Sequence, residues 1–400
     1  MIREFITVEV AGALVLLAAA IAALAWSNAA APGHYEAFWR QVLRLGAGAV
    51  ALEIDLRGWI NDLLMALFFF VVGVEIKREI VDGELREPRR AALPVVAALG
   101  GMIAPALLYL ALNPTGPAAR GWGVPMATDI AFAVGMLGLF GARVPLGLKV
   151  FLLTLAIADD IGAIAVIAVF YSDGIRALPL VVAAAAVAAF ATSWRLPGRR
   201  RAVFLVGFAG AAWLATHESG VHATIAGVAL GLAVPAGAAA EPSPAERLSH
   251  QLHPWTSFGI VPLFALANAG VVVRLEGLAA SLREPVAAGV ILGLVVGKIA
   301  GIMLASYAAV RAGIAALPAG VGWDRIVGAS ALAGIGFTVS LFIIELAFSD
   351  ERLIAAAKTG VLAGSVLAAL IGGTLLTLLP QRGAGLGAEE GSTARKRVSA

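Results

Sequence analysis

Apolar stretches of about 20 residues, nearly free of charge, recur from end to end of this 400-residue chain, and nothing constrains its fold more. A helix needs about 20 mostly apolar residues to cross a bilayer. Twelve such stretches are legible, near Val10–Trp26, Trp59–Ile76, Ala91–Leu112, Val124–Phe140, Val150–Phe170, Ala177–Ser193, Ala202–Thr216, Val221–Ala236, Phe258–Val273, Pro285–Val310, Ile326–Phe348 and Ala355–Leu379. None shows the strict alternation of a barrel strand. In lipid each backbone polar group must then be satisfied within its own helix. The expected fold is an all-α polytopic membrane protein with twelve transmembrane helices.

Composition sharpens what is excluded. Of all residues 60% are hydrophobic and only 14% charged, against roughly 25% charged in a soluble domain. The mean hydropathy is +0.92, and the 46 glycines suit helices packed closely in lipid. The chain has no cysteine, so disulfides, thiolate metal sites, cysteine nucleophiles and iron–sulfur clusters are out. A soluble enzyme, a disordered scaffold and a disulfide-stapled secreted domain are excluded together. The pI near 9.4 comes from basic residues in short connections, which speaks of membrane orientation and not of nucleic acid.

Those connections give an orientation. Lys and Arg number 19 on the side of both termini and 9 on the other, with Lys298 left over inside a span. The basic excess puts both termini in the cytoplasm, which an even number of spans requires. The first span also fits a secretory signal with a cleavage site at Asn28-Ala29-Ala30-Ala31, but the charge asymmetry favours a retained helix. Residues 1–380 then form one domain. Residues 29–58 are a longer external connection, where Val50, Leu52 and Ile54 alternate as in a small hairpin or lie in a loop on the membrane surface. Residues 381–400 have no periodicity and read as a disordered cytoplasmic tail.

A charge in mid-membrane costs roughly 2.5–3.5 kcal/mol on insertion scales, so such residues are functional candidates by default. Asp129 lies in the fourth span, Asp159 and Asp160 at the centre of the fifth, and Lys298 in the tenth, with Glu9, Asp62, Glu75 and Glu345 nearer span ends. Adjacent helical residues differ by about 100°. The carboxylates of Asp159 and Asp160 therefore fan from one edge and titrate as a coupled pair. Lys298 needs a carboxylate partner or must give up its proton; Gly293, Gly297 and Gly301 beside it form a close-approach face.

Irregular backbone is the other signal. The fourth span carries Gly123 and Pro125 at its start, and the eleventh carries Gly334-Ile335-Gly336 at its middle. Broken helices at that depth line a protein-walled or watery cavity. The breaks fall in the second span of each triplet, the third to fifth and the tenth to twelfth. That pattern points to inverted repeats with a site between the halves. Asp129 either neutralises the positive half-helix ends there or binds the cargo.

Near-misses narrow the chemistry. His217-Glu218-Ser219-Gly220-Val221-His222 has one residue too many for a zinc-protease helix, placing its histidines about 140° apart on a helix. No P-loop supports ATP coupling, and no Gly-x-Gly-Asp-like pair supports intramembrane proteolysis. His250 and His253 lie in a cytoplasmic connection and titrate near neutral pH.

At these residues the chain resembles the NhaA-type sodium/proton antiporters. The matching stretches are Asn61 to Ala66, Val72 to Glu79, Ala127 to Phe132, Leu155 to Ile164, Val221 to Gly227, His253-Pro254-Trp255, Pro262 to Gly270, and Gly334 to Thr338. Together they are specific, and they cover nearly the whole chain before the tail. The resemblance implies a bacterial inner-membrane antiporter with two discontinuous helices, the fourth and eleventh, crossing at mid-membrane. It implies that Asp160, Asp159 and Thr128 supply the Na⁺ ligands and the exchanging protons. Asp129 and Thr128 sit at the crossing, and Lys298 pairs with one aspartate, Asp159 the expected one. Glu75, Arg78, Glu79, His222, His250 and His253 belong to pH regulation. Transported Na⁺ or Li⁺ and H⁺ replace any cofactor, exchange is electrogenic, and the protein is a homodimer. Two departures stand out. Ile299 follows Lys298 where many members have Pro or a polar residue, and Ser249 stands where some carry an acid, so the pH profile is expected to be shifted or flatter. The rival readings are a proton- or sodium-coupled symporter of an organic solute, which needs a larger polar cavity, and a cation channel, which needs no titrating pair.

Overall fold

The computed structural model describes residues 2–29, 33–45, 52–141, 144–172, 174–237, 242–272 and 278–378. The expected tail at 381–400 and Val50 of the expected alternation lie outside them. The first apolar stretch forms α1 (Ile2–Ser27). It is followed by α2 (His34–Trp39) and an antiparallel hairpin, β1 (Val42–Leu45) with β2 (Leu52–Asp55), in which Leu43 faces Ile54 and Arg44 faces Glu53. The Asp55 carboxylate accepts from Gly58 N at 2.7 Å and so caps the start of α3 (Leu56–Val81).

The remaining elements are α4 (Pro88–Leu112), α5 (Gly116–Met126), α6 (Ile130–Leu139), α7 (Leu146–Phe170), α8 (Ala177–Ser193), α9 (Gly198–Glu218) and α10 (Ala223–Leu232). They continue with α11 (Pro244–Trp255), α12 (Val261–Asn268), α13 (Leu278–Arg283), α14 (Pro285–Arg311), α15 (Trp323–Leu332), α16 (Phe337–Ala347) and α17 (Glu351–Leu378). Pro88, Pro244 and Pro285 open their helices, where a missing N–H costs nothing.

Among the described residues six helices are long and apolar enough to cross a membrane, and eight spans result if each of two bent pairs counts as one. This is a multi-pass membrane protein. Several of the twelve expected spans fall short of that test for physical reasons. The α9 helix opens with Arg199, Arg200 and Arg201, and α10 has only 10 residues. The α11 and α12 helices are joined through a wide π-type turn, Thr256–Ile260. Along α4, Leu99, Ile103 and Leu107 recur every four residues and are 49%, 57% and 62% exposed. An apolar stripe left bare on that scale needs lipid against it.

Packing divides the helices into two groups. The α3 helix lies against α10, and α8 against α9. On the other side α4 packs on α14 and α7, while α17 packs on α14 and α15. The expected close-approach face is present: a Cβ at Gly301 would collide with the Gly100 carbonyl of α4, and one at Gly297 with Pro105. The α1 helix is seated on α6 and α12 and so is an integral part of the fold. Each bent pair, α5/α6 at 41° and α15/α16 at 49°, stands between two long helices, α4 and α7 in one case, α14 and α17 in the other.

Candidate cation site

The two breaks answer each other's backbone needs. A helix that stops in mid-bundle leaves unpaired carbonyls at one end and N–H groups at the other, and away from water each must find a partner. Here the partner is the opposite break. Asp129 N donates to Ile335 O at 2.7 Å, and Thr128 Oγ1 donates to Ala333 O at 2.8 Å. Ser340 Oγ donates to Val124 O at 2.7 Å, satisfying the end of α5. Gly336 lets Ala127 come this close; a Cβ there would press on the Ala127 carbonyl and on Ser340.

Asp129 closes the arrangement. Its Oδ1 accepts from Phe132 N at 3.0 Å, capping α6. Its Oδ2 accepts from Thr338 N at 3.0 Å and from Thr338 Oγ1 at 2.6 Å, capping α16. One carboxylate thus sits on two helix N-termini, where a negative charge is favoured twice.

Lys298 reaches this centre from α14, directly after a wide π-type turn at Gly293–Gly297. Such turns change the angular register of the next helical turn and recur at functional sites. The Lys298 Nζ donates to Asp159 Oδ2 at 2.8 Å and to Thr128 Oγ1 at 2.9 Å, with Lys298 and Asp159 both fully buried. Asp159 Oδ1 is buried without an aligned donor among the described residues. Asp160, one residue and about 100° further round α7, turns the other way. It makes no hydrogen bond to the described residues and borders a cavity of about 70 Å³. Glu9, Glu75, Asp129, His253 and Thr338 line the same cavity.

A sequence model of the Na⁺/H⁺ antiporter 1 family matches residues 3–376. The chain is 44% identical to Na(+)/H(+) antiporter NhaA 3 of Frankia alni, across 95% of this chain and 89% of that one. It is 46% identical to Na(+)/H(+) antiporter NhaA of Serratia proteamaculans, over 94% and 97%, and 45% identical to that of Shewanella loihica, over 96% and 98%. The chain belongs to the Na⁺/H⁺ antiporter 1 family.

In this antiporter the residues expected in pH regulation do not gather in one place. His253 Nε2 lies 2.8 Å from Glu9 Oε1, and both face the cavity with Glu75. Burial alone would lower the His253 imidazole, but the Glu9 hydrogen bond and the nearby Glu75 charge outweigh it and hold the group above the usual histidine range. Arg78 donates to Ser249 Oγ at 3.0 Å, so the position where some relatives are expected to carry an acid still engages the arginine. Glu79 accepts from Glu84 N at 2.9 Å and caps the turn after α3. His250 is exposed. His222 is at the other end of the molecule, its Nε2 2.6 Å from Tyr171 O beyond the last residue of α7. Asp62 faces His217 and His222 there, at the start of α3, while Glu75 lies 13 residues, or about 20 Å, further along that helix.

Two participants are not evident from sequence alone. Glu9 is visible as an acid in the first span, but its partner stands 244 residues away. Lys358 counts as a loop charge by the orientation tally, whereas α17 begins at Glu351 and buries it against Glu345 of α16. Lys298 is therefore not the sole lysine in an apolar helix.

Proposed function

We propose that this antiporter carries cytoplasmic Na⁺ or Li⁺ outward across the bacterial inner membrane in exchange for external H⁺. In this reading twelve spans place both termini in the cytoplasm. The α5/α6 and α15/α16 pairs are the two discontinuous helices of an inverted repeat, crossing at Asp129 and Thr128. The end holding Glu75 and His253 faces the cytoplasm and the hairpin end faces outside. A homodimer through the free edges of the hairpin belongs to the same proposal, as does the lipid that covers the apolar faces.

The observation that carries the reading is Asp160: a buried carboxylate without a hydrogen-bond partner among the described residues, open to a small cavity and adjacent to a sealed Lys298–Asp159 pair. Sodium is a hard cation and seeks oxygen. Asp160, the buried second oxygen of Asp159, which has no aligned donor among the described residues, and the Thr128 hydroxyl supply three. The same carboxylates hold protons, so ion and proton compete for one seat. Sodium entering from the cytoplasm releases one proton from Asp160 and, by drawing Asp159 away from Lys298, a second from that pair. Two protons against one sodium make the exchange electrogenic. Rocking of the group containing α4 to α7 and α14 to α17 against the other helices then presents the site to the outside. No bond is made, so the role is transport and not catalysis, and the ions are cargo and not cofactors.

The cavity argues against the symport of an organic solute. Its 70 Å³ accommodates an ion with water, whereas organic ligands occupy pockets of about 300 Å³ or more.

The test uses everted membrane vesicles. Added Na⁺ or Li⁺ should collapse a preformed pH gradient in the wild type, and K⁺ should not. Asp160→Asn should abolish the response. A normal Na⁺-dependent collapse with Asp160→Asn would overturn the reading.

A further inference from the structure

A second buried lysine–carboxylate pair lies toward the hairpin end. Lys358 Nζ stands 2.7 Å from Glu345 Oε1, yet that oxygen has no aligned hydrogen bond. The pair borders a cavity of about 280 Å³ that also exposes Tyr35, Glu36, Arg40, Arg57 and Glu351. The charges there are matched. Arg57 holds Glu36 at 3.0 Å, and Arg40 is paired with Glu351.

The chain's own geometry ties this cavity to the central site. Glu345 stands seven residues after Thr338 on α16, two turns or about 10.5 Å along one face. Thr338 borders the inner cavity and Glu345 the outer one. Leu341 and Phe342 are buried on the face between them, and the Phe342 ring is 5.4 Å from that of Phe69 and 6.3 Å from that of Phe264. An aromatic plug within two turns of one helix stripe separates Glu345 from Thr338 and the Asp129 carboxylate that Thr338 holds.

We propose that Glu345, paired with Lys358, is a second ion-exchange station, through which H⁺ enters from outside and Na⁺ leaves. This rests on the transport reading above and adds a residue to its external half. A buried ion pair is weak as a stabilising device, since apolar side chains of like volume often serve as well. This one is placed where an ion could use it. The oxygen facing Lys358 is buried, but the Glu345 side chain as a whole keeps 18% of its surface on the cavity, where Asp159 is sealed, so water and cations in the cavity meet it. A proton or Na⁺ on Glu345 frees the Lys358 ammonium, as a cation on Asp159 frees Lys298. The groups facing Glu345 are Lys358 and Glu351 on α17, Arg57 on α3, and Tyr35, Glu36 and Arg40 on and just after α2. Tyr35 does not compete for protons near neutral pH: burial, only partly opposed by Arg57, pushes its hydroxyl up to about 12.

The experiment separates the two faces of the full-length protein. Right-side-out vesicles loaded with radioactive Na⁺ report efflux against external pH, and everted vesicles report the Na⁺ dependence of the cytoplasmic face. Glu345→Gln should raise the external proton concentration needed for half-maximal efflux about tenfold, the worth of one charge-assisted contact. The cytoplasmic Na⁺ dependence should stay as in the wild type, and Glu345→Asp should restore the external one. The double substitution Glu345→Gln, Lys358→Met leaves no ammonium unpaired and should show the same one-sided shift, so misfolding of the single variant does not shelter the proposal. An unchanged external dependence, or an equal change on both faces, overturns it. A silent Glu345→Gln beside an inactive Asp160→Asn sinks this inference alone; an active Asp160→Asn sinks the transport reading beneath it.

Discussion

Lys298 and Lys358 each hold a carboxylate on a facing helix, at 2.8 and 2.7 Å, but one pair is sealed and the other borders a cavity. Lys298 has a second acceptor in Thr128, and neither it nor Asp159 has any exposed surface. Glu345 keeps some surface on a cavity of about 280 Å³. Charge left alone in the first setting has nowhere to go; in the second, water takes it up. The sealed pair can therefore be opened only by a competitor for Asp159, which couples its opening to a cation. The pair at the cavity can part by hydration, which suits a station that loads and unloads quickly.

The largest expected effect puts that contrast to a direct test. Lys298→Ala strands a buried carboxylate and should cost about 3–5 kcal/mol. Lys358→Ala leaves Glu345 with cavity water and should cost nearer 1–3 kcal/mol. Unfolding in detergent micelles measures both. Lys298→Met combined with Asp159→Asn should recover most of the first loss. Equal costs for the two lysines would mean that burial does not separate the pairs.

Next in size is the junction of the two breaks. Asp129→Ala removes the cap from α6 and from α16 together, for about 2–4 kcal/mol, the sum of two caps, with transport lost. Thr338→Ala removes only the hydroxyl donated to Asp129 and should cost about 1 kcal/mol. If Asp129→Ala kept its stability and lost only transport, the carboxylate would be a ligand for the cargo and not the neutraliser of two helix ends. The sequence leaves both roles open, and the three donors on its two oxygens favour the neutraliser.

Much of this site is legible in the sequence because membrane burial makes charge conspicuous. Asp159, Asp160 and Lys298 stand out against apolar neighbours, and Gly334 and Gly336 mark a bend where the α15/α16 break occurs. Pairing is less legible. That Ser340 satisfies Val124 O, or that Glu9 meets His253, depends on how distant segments pack, and a single chain carries no signal for it. Lys358 lies just inside the last span, which hydropathy starts at Ala355, but the orientation tally counts it with the preceding connection because a lysine near a helix start usually snorkels to water. Here Glu345 holds it inside. The departure at Ile299 raises the question of how the tenth span bends. The local distortion lies in the turn before Lys298, at Gly293–Gly297, and it is present with an isoleucine after the lysine.

The smallest expected effect concerns the mouth of the inner cavity. Charged His253 there faces Glu9, Glu75 and Asp160, with Arg78 close by on α3. Its proton affinity in the folded protein is above that of a free histidine, so the sign follows by linkage. The Glu9–His253 contact contributes fully below about pH 6.5, the unfolded value, and fades as pH rises through the higher folded value. Across that window the mouth loses one positive charge and becomes more favourable to a cation. His253→Gln is neutral at every pH. Its cytoplasmic Na⁺ dependence should therefore vary less than that of the wild type as pH rises from about 6.5 through the higher folded value, with the two converging at the alkaline end. Thermal stability of the wild type should also fall more steeply than that of the variant over this range. Ser249→Glu tests the neighbouring position, since a carboxylate against Arg78 should steepen the same profile. A pH dependence that His253→Gln leaves untouched would assign the sensing to the carboxylates of the cavity instead.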